Sequence, residues 1–321
     1  MRSVAFDHSS LGWEECPCDW CGDCESESIF DGPDRLEGLP GTFRVVRCKN
    51  CGIYRQNPRL KWSSLQNYYK DDYIAYDYTR AADLNRWNRW VKNYGNVKRR
   101  KFIERFVPGG HLLEVGCGTG AFLKVMQNSE RWDVVGIEPS TEASDFAREY
   151  TQALILNQRL SEAVLEPESF DAAVLWNVIE HLEQPVTDLK YLSTLLKKDG
   201  WLFFSVPNLN SLDARLFGHT WAGWDLPRHL YVIPLKTYDQ ILESIGFKTI
   251  EIRCLSTSYA SFGHSLSFWS QTWEARYPQL SRWLHRIYYS WVNRILLLAP
   301  LAIQDRLNLS SIITICAQKS D

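Results

Sequence analysis

Between residues 110 and 208, short apolar runs alternate with longer amphipathic stretches. The runs show no in–out alternation, which predicts strands buried on both faces of a parallel sheet. Leu112-Leu113-Glu114-Val115 leads into a glycine-rich turn and a helix that begins near Ala121. Further strands are expected at 133–138, 153–156, 170–177 and 200–208, then at 249–254 and 312–317. Helices fill the intervals. An amphipathic one over 84–106 is ended by Pro108-Gly109-Gly110, a second runs through Tyr150, and a third runs from Pro185 to about 198 with Asp199-Gly200 as its stop. Strand and helix in alternation specify an α/β fold built on a doubly wound sheet.

Two segments break the rhythm. Residues 208–233 follow the fifth strand and carry Trp221, Trp224 and the run Pro227-Arg228-His229-Leu230-Tyr231. Residues 261–306 lie between the last two strands. There Trp269, Trp273, Trp283, Tyr288, Tyr289 and Trp291 are interleaved with Arg276, Arg282, Arg286 and Arg294, and 295–303 is nearly all apolar. A helical cap packed on the protein, a homodimer face, and an interfacial helix pair resting on a membrane all fit that pattern. No run reaches the roughly 18 apolar residues of a membrane span. A chain of 321 residues can hold one large domain and a small one. The expected division is a cysteine-rich module at 1–62, the α/β core at 63–260, the aromatic and basic helical insert at 261–306, and the last core strand within 307–321.

The chemistry concentrates in Glu114-Val115-Gly116-Cys117-Gly118-Thr119-Gly120. Glycines at alternate positions let backbone approach a ligand where side chains would block it. A dinucleotide loop needs GxGxxG, with pyrophosphate on the helix N-terminus. Here the spacing is GxGxG, and Glu114 would repel phosphate but suit a cationic amino-acid end. Glu138 closes the second strand roughly 20 residues past the loop, where an acid can take both ribose hydroxyls of a nucleoside. Ser140 or Thr141 is the better cap for the next helix. Trp176-Asn177 ends the strand at 170–177, and Val178-Ile179-Glu180-His181-Leu182 follows.

In this order the segments resemble the motifs of class I S-adenosylmethionine-dependent methyltransferases, whose first is E/DxGxGxG. The resemblance implies a Rossmann-like seven-stranded methyltransferase sheet with helices on both faces. It also implies that Glu114, Gly116, Gly118, Gly120, Glu138, Trp176 and Asn177 hold S-adenosyl-L-methionine. The glycines would cradle the methionine portion, and Trp176 and Asn177 would wall the adenosine or the methyl-transfer gap.

Six of the nine cysteines precede residue 52. Cys18-Asp19-Trp20-Cys21-Gly22 and Cys48-Lys49-Asn50-Cys51-Gly52 are two CxxC knuckles, each followed by a glycine that lets backbone amides turn toward sulfur. Two such knuckles specify a tetrahedral four-thiolate site for a structural Zn2+, closed to water. Cys16 and Cys24 offer alternative pairings, Cys24 being the nearer substitute. The chain continues through Ile53-Tyr54-Arg55-Gln56-Asn57-Pro58 into tyrosines between Tyr68 and Tyr78. This arrangement, with the Trp221 to Tyr231 segment, resembles bacterial methyltransferases that carry a zinc-ribbon-like head. Sugar methyltransferases and enzymes of cell-surface glycan and secondary metabolism are among them, which implies a small-molecule, sugar/glycan or lipid-linked acceptor.

If the acceptor is a hydroxyl, O-methylation needs a base. His181 and His229 are the candidates, because histidine titrates near neutrality. An orientational role for His181 and a packed, hydrogen-bonded role for His229 are the alternatives. The 177–181 stretch resembles one in ubiquinone-pathway O-methyltransferases, some of which use a divalent cation. Further acids of that motif are missing here, so no catalytic metal is expected. The basic run Lys98-Arg99-Arg100-Lys101 reads as a solvated helix face or as a contact for a substrate phosphate.

A formal charge of −2, and the acids Asp19, Asp23, Glu25, Glu27, Asp31 and Asp34, argue against nucleic acid as a partner. The rival of an RNA methyltransferase gripping its substrate through the zinc ribbon is disfavoured on that ground. A non-catalytic interaction protein that kept the fold is disfavoured by the intact glycine loop. The polar N-terminus lacks an export signal, so the expected location is cytoplasmic, with peripheral membrane contact through 261–306 as an extension.

Overall fold

The computed structural model describes residues 11–69, 86–255 and 258–320, without the side chains of 86–93. The tyrosines within 70–78, and the side chains of Trp87, Trp90 and Val91, lie outside the described residues. In chain order the strands are β1 (Trp13–Glu14), β2 (Ser26–Gly32), β3 (Phe43–Cys48), β4 (Tyr54–Gln56), β5 (Arg59–Leu60), β6 (Gly110–Val115) and β7 (Trp132–Ile137). They continue as β8 (Leu154–Leu156), β9 (Phe170–Trp176), β10 (Leu196–Pro207), β11 (Tyr231–Val232), β12 (Phe247–Arg253) and β13 (Ile312–Lys319). The helices are α1 (Trp62–Leu65), α2 (Arg86–Ile103), α3 (Ala121–Gln127), α4 (Thr141–Thr151) and α5 (Pro185–Leu195). After them come α6 (Leu212–Phe217), α7 (Leu235–Ser244), α8 (Tyr259–Gln271), α9 (Pro278–Tyr288) and α10 (Trp291–Arg306).

The chain divides into two compact units, each assembled from three segments. The first draws on the described residues of Asp71–Val206, Tyr238–Ser256 and Ile312–Asp321. It holds a seven-stranded sheet in the order β12-β13-β10-β9-β6-β7-β8. Strands β10, β9, β6, β7 and β8 are parallel, and β12 runs antiparallel to β13. The chain enters at β6, winds outward through β7 and β8, then crosses to β9 and β10. That reversal opens a crevice at the carboxyl ends of β6 and β9, where open sheets bind ligands. Leu112, Leu113, Ala172, Ala173, Val174 and Leu175 are fully buried as consecutive residues. Both faces are therefore covered, as the absence of alternation requires. Phe102 and Ile103 of α2 and Phe122, Leu123 and Met126 of α3 complete this core.

One element ends earlier than its pattern suggests. Helix α5 stops at Leu195, and Leu196 already pairs with Phe170 in the sheet. A register shift before Trp201 accommodates residues 197–200, with Asp199 at φ 59°. Lys197 reaches back to Asp171 at 2.8 Å, which holds the bulge against β9. Asp199-Gly200 is thus a strand irregularity rather than a helix stop.

The second unit draws on the described residues of Met1–Lys70, Pro207–Thr237 and Thr257–Ser311. Its antiparallel sheet runs β11-β4-β3-β2. Asp31 faces Arg44 and Glu27 faces Arg47 across β2 and β3, at 2.9 and 3.3 Å. Acids of the cysteine-rich module are thereby neutralised in place. The segment 208–233 joins the same sheet, because β11 pairs with β4 through Tyr231 and Arg55. Gln56 Nε2 donates to the carbonyls of Pro227 and His229 at 2.9 and 2.7 Å. Arg228, fully buried, donates to Asp34 at 2.8 Å and to Asp225 at 2.6 Å. Phe217, Trp221 and Val232 form a small core there, against Tyr54, Trp224 and Phe262.

Candidate functional site

Strand β6 ends at Val115, and the N–H groups of Gly116 and Cys117 donate to the Ile137 carbonyl at 2.8 and 3.1 Å. This ties the loop to the end of β7. Gly116 has φ 68°, and a Cβ there would lie 2.6 Å from Val178 Cγ2. Gly120, at φ 75°, is the N-cap of α3, and its Cβ would lie 2.7 Å from Thr151 Cγ2. Left-handed backbone and close approach together demand glycine at both positions. Glu138 grips the loop from below: Oε2 accepts from Gly118 N and Oε1 from Ser140 N, each at 2.9 Å. The capping of α4 falls to Ser140, whose Oγ accepts from Ala143 N at 3.3 Å.

Glu114 sits beneath the same loop with 3% of its surface exposed. The Leu123 amide in the first turn of α3 faces its carboxylate. Its Oε2 is buried with no hydrogen-bond partner among the described residues. Burial pushes this carboxyl well above the usual carboxylate range, with Arg99 opposing and Glu138 reinforcing the shift. Desolvation in turn pulls Arg99 down to about 10, against the attraction of Glu114. The Arg99 guanidinium lies 4.7 Å above the Trp176 ring, and Phe122 meets that ring edge-on at 5.5 Å. Trp176 Nε1 is likewise buried without a partner. Asn177 turns the chain at φ 57°, and its Oδ1 accepts from Ser205 Oγ at 2.9 Å.

Arg99 is the site residue that sequence reasoning missed. The run 98–101 does not form one patch. Lys98 donates to the Leu255 carbonyl at 2.9 Å and Arg100 to the Val125 carbonyl at 3.1 Å, so both tie α2 to its neighbours. Only Arg99 among them turns toward Trp176 and Glu114.

The two histidines belong to different units. His181 belongs to the 3-10 turn Ile179–His181, just past the carboxyl end of β9. His229 directs Nδ1 to the Gly223 carbonyl at 2.9 Å, which fixes the proton on Nδ1 and makes Nε2 the basic nitrogen. Nε2 lies 3.9 Å from Asp225. Burial lowers the histidine from its ordinary value, against the pull of Asp225, so the ring is neutral at neutral pH.

The sulfurs of Cys18, Cys21, Cys48 and Cys51 all lie within 4.8 Å of one another. Cys18 approaches Cys51 at 3.4 Å and Cys21 approaches Cys48 at 3.5 Å. These separations are far from a disulfide bond and close to the roughly 3.8 Å between sulfurs of a tetrahedral zinc–thiolate site. Gly22 and Gly52 take φ 71° and 77°, and their amides close the knuckles onto Cys18 O and Cys48 O. Of the alternatives, Cys24 is exposed and outside the group. The Cys16 amide bonds to Asn57 Oδ1 at 3.0 Å.

Comparison with known proteins agrees with this geometry. A family model described as a methyltransferase domain matches residues 85–252, more than half of the chain. The ubiquinone biosynthesis O-methyltransferase of Paraburkholderia phymatum is 32% identical over 123 residues, covering 36% of this chain and 53% of the relative. That of Actinobacillus pleuropneumoniae is 32% identical over 110 residues, covering 31% and 47%. The chain thus spans about half the length of the curated relatives it matches. Among solved structures, Haemonchus contortus phosphoethanolamine N-methyltransferase 2, bound to phosphomonomethylethanolamine and S-adenosylhomocysteine, has a TM-score of 0.50 at 16% identity. That alignment covers 91% of this chain and 71% of the other, and it speaks to the fold. With its sheet order, its glycine loop and the matched family model, the chain belongs to the class I S-adenosylmethionine-dependent methyltransferases.

Proposed function

We propose that this methyltransferase acts on a hydroxyl of a small-molecule acceptor, a class that includes sugars, glycans and lipid-linked compounds. One observation carries the cofactor assignment: a buried carboxylate oxygen, Glu114 Oε2, is left without a partner beneath a loop that only glycine can form. An α-ammonium group is the cation such an oxygen would pair with, so the residues fit S-adenosylmethionine. The likeness to relatives named as O-methyltransferases supports oxygen as the acceptor atom.

When bound, S-adenosylmethionine supplies a methyl group on a sulfonium, a leaving group that departs as a neutral thioether. Glu114 would hold the ammonium end and Glu138 the ribose hydroxyls. The loop of Gly116, Gly118 and Gly120 would admit the methionine backbone, and Trp176 and Asn177 would flank the nucleoside. Positioning of this kind can supply much of the rate. As the acceptor oxygen forms its bond to carbon, its proton passes to a base. His229 Nε2 is our candidate, being neutral and carrying the basic lone pair, and His181 is the second.

We infer further that Cys18, Cys21, Cys48 and Cys51 bind a structural zinc ion. Four protein sulfurs fill a tetrahedral shell, so the metal has no open position for substrate. Its contribution is to hold β3, β4 and the preceding knuckle together.

Labelled-methyl transfer from S-adenosylmethionine tests the acceptor. Catechols and prenylated phenols, nucleotide sugars, lipid-linked glycans, amines and RNA form the panel. Label on hydroxyl acceptors is expected. Label confined to amines or RNA would overturn the reading.

A further inference from the structure

We propose that the outward face of α9 and α10 docks on an anionic lipid bilayer. The inward faces of the two helices are held by contacts to α8 and α6. Tyr288 stacks on Tyr259 of α8, with ring centroids 4.9 Å apart, and Tyr259 hydroxyl donates to the Tyr288 carbonyl at 2.9 Å. His285 Nε2 meets Ser270 Oγ at 3.0 Å, and Gln304 donates to Asp213 Oδ1 at 3.1 Å. Gln304 is the one buried residue of α10.

The outward faces are apolar to a degree that a watery setting does not explain. Trp291 is 73% exposed, Leu296 67% and Leu298 66%, and Trp283, Ile295 and Ile303 are more than half exposed. Exposed apolar residues are ordinary singly, but Trp291, Ile295 and Leu298 share one face of α10 at i, i+4 and i+7, and a set of this kind marks an interaction surface.

Charge selects the partner. Residues 275–304 contain four arginines, Arg276, Arg282, Arg286 and Arg294, and no aspartate or glutamate. All four are exposed, but Arg294 lies over the Tyr259 ring of α8 at 5.2 Å, so Arg276, Arg282 and Arg286 are the cations turned outward. A second copy of this chain, docked face to face, would set arginine against arginine, because Asp305, the one acid of α9 and α10, is turned to Ser310. An anionic headgroup layer answers Arg276, Arg282 and Arg286, while the indole and aliphatic side chains enter the acyl boundary below it. Helix α10 spans 16 residues with Pro300 inside it, and no described helix is long and apolar enough to cross a membrane. The helices therefore lie along the surface. The docking does not depend on the identity of the acceptor.

Vesicle flotation of the full chain tests the proposal, with phosphatidylcholine vesicles against vesicles containing about one-third phosphatidylglycerol. Binding only to the anionic vesicles is expected, falling steeply with salt. The triple variant W291S/L296S/L298S should not float, while its melting temperature is retained, because these side chains are exposed. The triple variant R276Q/R282Q/R286Q should bind about a hundredfold more weakly, at about fivefold per basic residue near an anionic surface. Equal binding to both vesicle types, binding to neither, or retained flotation of both variants overturns the proposal. So does a dimer in lipid-free sedimentation that the W291S/L296S/L298S variant dissolves.

Discussion

Replacing Glu114 with glutamine keeps the shape of the side chain and removes its charge, and two effects of opposite sign are expected. The first concerns the cofactor. A hydrogen bond to a charged group contributes about 1.5–3 kcal/mol, so losing the carboxylate should weaken S-adenosylmethionine binding about 10- to 100-fold. The second concerns the protein without cofactor. Glu114 is nearly inaccessible, and its charged form is disfavoured by burial more than Arg99 favours it. A carboxyl raised in the folded state binds its proton more tightly folded than unfolded. Stability therefore falls as pH rises from the ordinary glutamate range through the raised value. Glutamine has no such penalty, so Glu114→Gln should gain on the wild type as pH rises, by a few degrees of melting temperature at pH 8. The difference should close as pH drops toward the ordinary glutamate range.

The same reasoning fixes a proton count. An ammonium group placed against Glu114 favours its carboxylate. The groups that face it, Arg99, Glu138 and the Leu123 amide, are fixed parts of the unit. Wild-type binding should therefore release a proton and tighten as pH rises, and Glu114→Gln should do neither. Calorimetry in two buffers of different ionisation enthalpy measures the release directly. Unchanged affinity in the variant, together with a melting temperature at or below wild type at pH 8, would refute the assignment of Glu114 as the ammonium partner.

Other expectations rest on other contacts. Arg228→Met leaves Asp34 and Asp225 buried without their cation and should lower stability by about 3–5 kcal/mol in urea unfolding. Gly120→Ala places a Cβ against Thr151 in left-handed backbone and should reduce cofactor affinity at least tenfold by calorimetry while the fold survives by circular dichroism. Cys21→Ser should drop bound zinc below about half an equivalent by metal analysis, where the wild type holds about one. His229→Asn should lower kcat by about 10²–10⁴ with little change in KM. Because burial lowers His229, wild-type activity should hold on acidification until below the ordinary histidine range, then fall as Nε2 is protonated.

What the sequence revealed and what it hid divide by distance along the chain. The glycine loop, the knuckles and the buried strands are short-range patterns, and the structure forms each where the pattern lies. The Asp34–Arg228 pair joins residues 194 positions apart, and no local pattern announces it. The Trp221 to Tyr231 segment drew attention to His229, yet the neighbouring Arg228 makes the buried contacts that fasten the segment to the cysteine-rich module. Arg99 is different, because its signal lies within the helix itself, at the helical period. Four consecutive basic residues on a helix point about 100° apart, so they cannot share one face. The informative relation is from Arg99 to Phe102 and Ile103, three and four positions on, which are both in the core. A cation on the apolar stripe of a helix is carried inward by that stripe, and burial there is tolerable only near an acid or a ring. Arg99 has both, in Glu114 and Trp176, and this places a third charge beside the two acids, Glu114 and Glu138, that the sequence motifs single out.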